Sequence, residues 1–183
     1  RGQRALSRWC EAWEPQVDGG SCAPASAMIA LIFLGLPGGW SQDKIWDRII
    51  HPYRLVSRGV SFAGGLEMMR LLGGRDLEVT PRITWDEAEM QEVLEQDLHS
   101  AFVEGADVCL LMNYWRPSGG HWSPLGGYAE NQVLILDTNH RRNLPHWLPL
   151  TRVVQDMCRK NEITLKPRGY LLVSRARSPD ETR

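Results

Sequence analysis

Gly119-Gly120-His121-Trp122-Ser123-Pro124-Leu125-Gly126-Gly127-Tyr128, running on to Val133-Leu134-Ile135-Leu136-Asp137, is the stretch on which the reading of this chain turns. The apolar run 133–136 is β-rich, and Gly126, Gly127 and Asn131 mark a bend, so the pattern predicts two strands around a turn. A histidine opens the first strand and an aspartate closes the second. With the hairpin centred on Ala129, His121 and Asp137 fall directly opposite each other on one face, because side chains alternate with period two. A centre half a step away puts them on opposite faces. Paired, the carboxylate would fix the imidazole tautomer and stabilise its protonated form.

Working outward, residues 107–114 read as a strand, apolar through Val108-Cys109-Leu110-Leu111-Met112, with Cys109 a buried strand residue. A helix is expected over about 149–160 and a last strand over 169–174. Upstream the pattern is mostly helical. Residues 1–21 form a lead-in with a short helix and end in Asp18-Gly19-Gly20-Ser21. A helix over 22–34 is apolar almost all round, as a buried helix should be, and Pro24 is tolerated in its first turn. Ser41 caps a second helix over 42–50. A loop over 51–61 leads to a third helix over 62–72, closed by Gly73-Gly74. A short strand at 77–80 is stopped by Pro81, and a long amphipathic helix covers 86–103 with Met90, Val93, Leu94, Leu98 and Phe102 inward. Helices first and strands afterwards predict one α+β domain with a helical lobe over about 1–104, a sheet lobe over about 105–175 and a polar tail over 176–183. The seam is expected near 104–106.

Composition narrows the classes of function. The formal net charge is −1, without the basic excess that nucleic acid or an anionic membrane requires. No apolar run reaches the roughly 20 residues that span a bilayer. The start at Arg1-Gly2-Gln3 is read as trimmed, with a removed leader left open and a cytoplasmic setting favoured. Cys10, Cys22, Cys109 and Cys158 fit neither a zinc pattern nor a disulfide framework, so neither metal nor cofactor is expected.

Cys22 stands at the start of a helix, where a nearby histidine can turn a thiol into a thiolate nucleophile. His121 is placed to be that histidine and Asp137 to orient it. Gln16, six positions before Cys22, could add a side-chain N–H to the backbone N–H of Cys22 as donors to an oxyanion. Singly these signals are weak; together they specify acyl chemistry across a cleft between two lobes. Trp122 and Trp147 are read as packing and His146 as structural. His51 and His99 are expected to face solvent.

The order and spacing of Gln16, Cys22, His121 and Asp137 resemble those of papain-like cysteine peptidases. The segment from Gly120 to Leu150, with Leu144-Pro145-His146-Trp147-Leu148-Pro149, together with Gly59-Val60-Ser61-Phe62 and Cys22-x-x-Ala25-Ser26, is similar to the phytochelatin synthase family. That resemblance covers about residues 14–160. It implies a papain-like two-lobed fold and a Cys-His-Asp triad acting on glutathione or a similar small thiol peptide through a γ-Glu-Cys acyl-enzyme. The unit would pass to an amine acceptor or to water, and this chain is like the short bacterial form. Arg116, Arg142 and Tyr114 match family positions that line the cleft and are expected to hold substrate, Arg116 by gripping a carboxylate. The chain departs from the family at Ala23-Pro24 after the cysteine, at His140 where the family has arginine, and in a shorter loop between Tyr114 and His121. Those departures motivate an alternative, an amide-forming or amide-cleaving enzyme with a different acyl donor. A non-catalytic binding domain is the third reading.

Overall fold

A computed structural model describes residues 8–36, 38–52, 59–104, 106–141, 143–162 and 164–176. The tail expected beyond 176, part of the loop at 53–58 and Arg142 lie outside the described residues. Helix α1 (Cys22–Phe33) buries every residue except Ile32, as its all-round apolar sequence requires. α2 (Gln42–Ile45) starts at Ser41, whose hydroxyl accepts from the Lys44 N–H at 3.2 Å, and continues as a π-helical turn (Trp46–Ile50). α3 (Phe62–Gly73) is capped by Ser61 and ends at Gly74, which takes a φ of 54°. After strand β1 (Leu77–Arg82) comes α4 (Glu87–His99), whose N-cap Asp86 accepts from the N–H groups of Ala88 and Glu89. Then follow β2 (Val108–Arg116), β3 (Gly119–Ala129), β4 (Gln132–Ile135), β5 (His146–Pro149), α5 (Leu150–Cys158) and β6 (Gly169–Arg175).

The strands form one antiparallel sheet in the order β1-β6-β2-β3-β4-β5. Alternation along β2 shows why the sheet is covered on both sides. Cys109 and Leu111 belong to a core shared with α1, α2 and α3, whereas Leu110, Met112 and Tyr114 belong to a second core with α4 and α5. Two elements from before the expected seam thus join the sheet. β1 pairs with β6 as an edge strand, where Pro81 lacks only a solvent-facing N–H, and α4 packs against α5. The strand β5 escaped the sequence reading.

The hairpin differs from its expected register. Its turn is Glu130-Asn131, both with positive φ, and Ala129 pairs with Gln132. A bulge at Gly126 shifts the ladder between Leu125 and Gly127, and a Cβ there would come within 2.7 Å of Leu136. His121 therefore faces Tyr114 across the β2–β3 ladder, while Asp137 lies beyond the end of β4. The two side chains still meet.

Candidate active site

Cys22 is the first residue of α1, so its backbone N–H has no intrahelical acceptor and lies in the positive end of the helix dipole. The turn before it is fixed by Asp18, whose Oδ1 accepts from the Gly20 N–H and the Ser21 hydroxyl, both at 2.7 Å. The indole of Trp46 donates in turn to the Ser21 hydroxyl at 3.1 Å. Residues 8–20 then strap the helical side to the sheet: the Gln16 N–H donates to the Thr138 carbonyl at 2.9 Å, and the Trp13 indole donates to the Asp137 carbonyl.

His121 is 2% exposed and donates from Nε2 to Asp137 Oδ1 at 2.9 Å; a carboxylate only accepts, so Nε2 carries the proton. Nδ1 is left free of Asp137, and Cys22 lines the same cleft as the ring. The ring of Tyr114 meets that of His121 edge-on, with centroids 5.6 Å apart. Asp137 has four donors. Oδ1 also accepts the Asn139 N–H at 2.8 Å, and Oδ2 accepts from Arg116 at 3.0 Å and Asn143 at 3.1 Å. Gln16 is buried, with its Oε1 accepting from Thr138 and its Nε2 donating to the Asp18 carbonyl at 2.5 Å. Gln16 also lines the cleft beside Cys22.

Electrostatics agree with the contacts. Burial alone would push the Cys22 thiol up, but the hydrogen bond and charge of His121 outweigh it and bring the pKa below the usual thiol value. Burial likewise works against a charged His121, yet its bonds to Asp137 and Cys22 carry its pKa upward. Asp137, despite its burial, is held at about 2 by its donors, His121 first. A thiolate facing an imidazolium is the arrangement these shifts favour. It is lost when pH falls through the lowered thiol pKa, and the ring loses its proton only above its own raised one. Alkylation of Cys22 by iodoacetamide should accordingly rise to its plateau at a pH below the roughly 8.5 of a free thiol. A rate that rises only around that free-thiol value would contradict the pairing; the Cys22→Ala protein supplies the background from other cysteines.

A cleft of about 320 Å³ opens over these groups, lined by Gln16 to Gly19 and by Asn139, His140 and Arg141. Cys22, Arg116, Gly120 and His121 also line it. Of the expected substrate residues, Arg116 reaches the cleft but spends its guanidinium on Asp137. Tyr114 does not reach it: 4% exposed, it lies beneath His121 with its hydroxyl 3.5 Å from that of Ser123. Asn143 and Arg141 were not picked out, and His140 only as a departure from the family, because a loop after a strand gives no periodicity from which to read direction. Trp122 packs as expected, stacked on Phe62, and Trp147 is about half exposed on β5. His51 and His99 face solvent. Among the described residues no group of three or more His, Cys, Asp or Glu side chains is placed to hold a metal ion, and no helix is long and apolar enough to cross a membrane.

An antiparallel sheet packed on a buried helix is the layout of the papain-like fold, and solved structures share that fold. A C39-like peptidase from Bacillus anthracis superposes with a TM-score of 0.60 over 91% of this chain and 94% of its own, at 11% identity. The peptidase domain of Streptococcus ComA does so with 0.54 over 90% and 97%, at 14% identity. The fold is papain-like. The profile of the phytochelatin synthase family matches residues 6–170, and the chain belongs to that family. Among its relatives are a glutathione gamma-glutamylcysteinyltransferase 1 of Lotus japonicus, 45% identical over 89% of this chain, and one of Triticum aestivum, 25% identical over 91%. The matches cover 34% and 35% of those proteins, so this chain spans about a third of their length.

Proposed function

We propose that this chain is a cysteine-nucleophile acyltransferase or peptidase that cleaves glutathione or a similar small thiol peptide. The observation that carries the reading is a helix-terminal Cys22 lining one cleft with a His121 whose Nε2 is held by Asp137. In that reading the Cys22 thiolate attacks the carbonyl of the peptide bond that follows γ-Glu-Cys. The oxygen that gains charge is met by the Cys22 backbone N–H and the Gln16 amide. Collapse breaks the C–N bond, His121 gives its proton to the departing amine, and glycine leaves. A γ-Glu-Cys thioester remains on Cys22. His121 then takes a proton from water or an acceptor amine, whose attack releases the acyl group and restores the thiolate. The relatives' names supply the donor, and the cleft supports it: Arg141 is exposed on its wall and has no ion pair among the described residues, which suits a substrate rich in carboxylates. Arg141→Ala should raise KM for glutathione about tenfold with kcat nearly unchanged, as for loss of one charge-assisted hydrogen bond. A fall in kcat at constant KM would contradict that placement.

One feature favours the second reading, a different acyl donor. His140 stands on the cleft wall at a position where the family resemblance has an arginine. Incubation with glutathione separates the two. Release of free glycine that depends on Cys22 supports the first. No glycine from a protein whose Cys22 still alkylates at low pH would transfer the proposal to another donor.

A further inference from the structure

Arg116 was expected to grip substrate, yet its guanidinium is already engaged. It ends β2, is 14% exposed along its side chain, and donates from Nη1 to Oδ2 of Asp137, which is fully buried. Its Nε is buried without a hydrogen-bond partner among the described residues, and the side-chain hydrogen bond found for the guanidinium there is the one to this carboxylate. Asn143 shares Oδ2 with it, while His121 and the Asn139 N–H share Oδ1. The carboxylate is thus held from both ends, and the lone pair left for His121 points at the ring.

We propose that Arg116 is a positioning residue that acts on the reaction through Asp137 and His121, rather than a clamp on the substrate. Two effects follow from its place. Holding Oδ2 fixes the carboxylate plane, and with it the angle at which His121 presents Nδ1 to Cys22. Its charge also draws on the same carboxylate as the imidazolium does. The proton on His121 is therefore held less tightly than an unshared aspartate would hold it, which suits a ring that must give that proton to a leaving amine. The other groups facing the pair are Cys22 from α1, Tyr114 from β2 and Asn143 from the loop after β4. Asp18, His140 and Arg141 stand on the cleft walls. Arg116 is the cation bonded to Asp137 besides His121, so removing it should raise both the thiol and the ring pKa, since each loses a nearby positive charge.

The test reads two quantities, one of which needs no substrate, so its outcome stays separate from the identity of the acyl donor on which the kinetic half rests. In Arg116→Gln, an amide can still donate to Asp137 but carries no charge. The acid limb of the Cys22 alkylation profile should move to higher pH by about half a unit or more. Glutathione cleavage should lose on the order of tenfold in kcat with KM within about twofold. Arg116→Lys keeps the charge and should return the alkylation limb to its wild-type position. A substrate clamp would give the opposite split: KM raised, kcat nearly unchanged and the alkylation profile unmoved. A part in packing alone would lower the melting temperature in both variants without moving the limb. Either result would overturn the proposal. If Arg116→Gln does not fold, Arg116→Lys still decides it: a displaced alkylation limb in that folded, charge-keeping variant would contradict the charge effect, and a limb in place alongside a raised KM would restore the clamp.

Discussion

Cys22→Ala is expected to bring turnover to background, a loss on the order of 10⁴-fold or more, while the protein melts close to the wild-type temperature. The size follows from the division of labour at the site. Gln16, the helix terminus and His121 can polarise and orient a carbonyl, but none of them can form the thioester in place of the sulfur. Stability should be nearly untouched: the substitution removes one sulfur at the wall of a cleft, and the alanine it leaves is a good helix former at a position flanked by Ser21 and Ala23. Turnover of a few per cent or more in the purified variant would mean that another group is the nucleophile.

Trp122→Ala is expected to destabilise the fold by about 3–5 kcal/mol, the range for emptying a buried aromatic site. In a chain of this length that lowers the melting temperature by roughly 6–20 °C. Trp122 is 2% exposed and inserts from β3 into the helical side of the molecule. Its ring stacks on Phe62 with centroids 6.1 Å apart, and its Nε1 donates to the Val60 carbonyl at 2.8 Å. Gly65 lets α3 approach that ring, since a Cβ there would lie 2.3 Å from it. The backbone N–H of Trp122 is also among the groups that lower the Cys22 thiol pKa, so a displaced strand should also cost activity in whatever fraction stays folded. A melting temperature within about 2 °C of wild type would show that the helices and the sheet are joined elsewhere.

These contacts explain what could be read from the chain and what could not. Two of the segments that carry the family resemblance, 59–62 and 120–150, touch across the molecule through Trp122 on Phe62 and Val60, so their chemistry was visible before their contact was. The buried helix behind Cys22 was legible because almost every residue in it is apolar or small, and such a helix has one place to go. Register was not legible in the same way. Gly126, Gly127 and Asn131 together suggested a bend; Asn131 does lie in the turn, with Glu130, whereas Gly126 serves as a bulge packed against Leu136. β5 was missed because His146-Trp147-Leu148-Pro149 is short and bounded by prolines, and an edge strand needs few residues. Arg116 was placed at the correct end of its strand, yet a long side chain on a strand end can turn outward to a ligand or inward to Asp137. Sequence spacing does not choose between them; the buried carboxylate does.

Intact mass of the protein mixed with glutathione, with and without Cys22, tests the central claim most directly. The account predicts a species heavier by one γ-Glu-Cys acyl group, glutathione less glycine, seen on the wild-type chain together with free glycine and absent from Cys22→Ala. An unmodified wild-type mass with no glycine released, from a protein whose Cys22 is alkylated below the pKa of a free thiol, would contradict it.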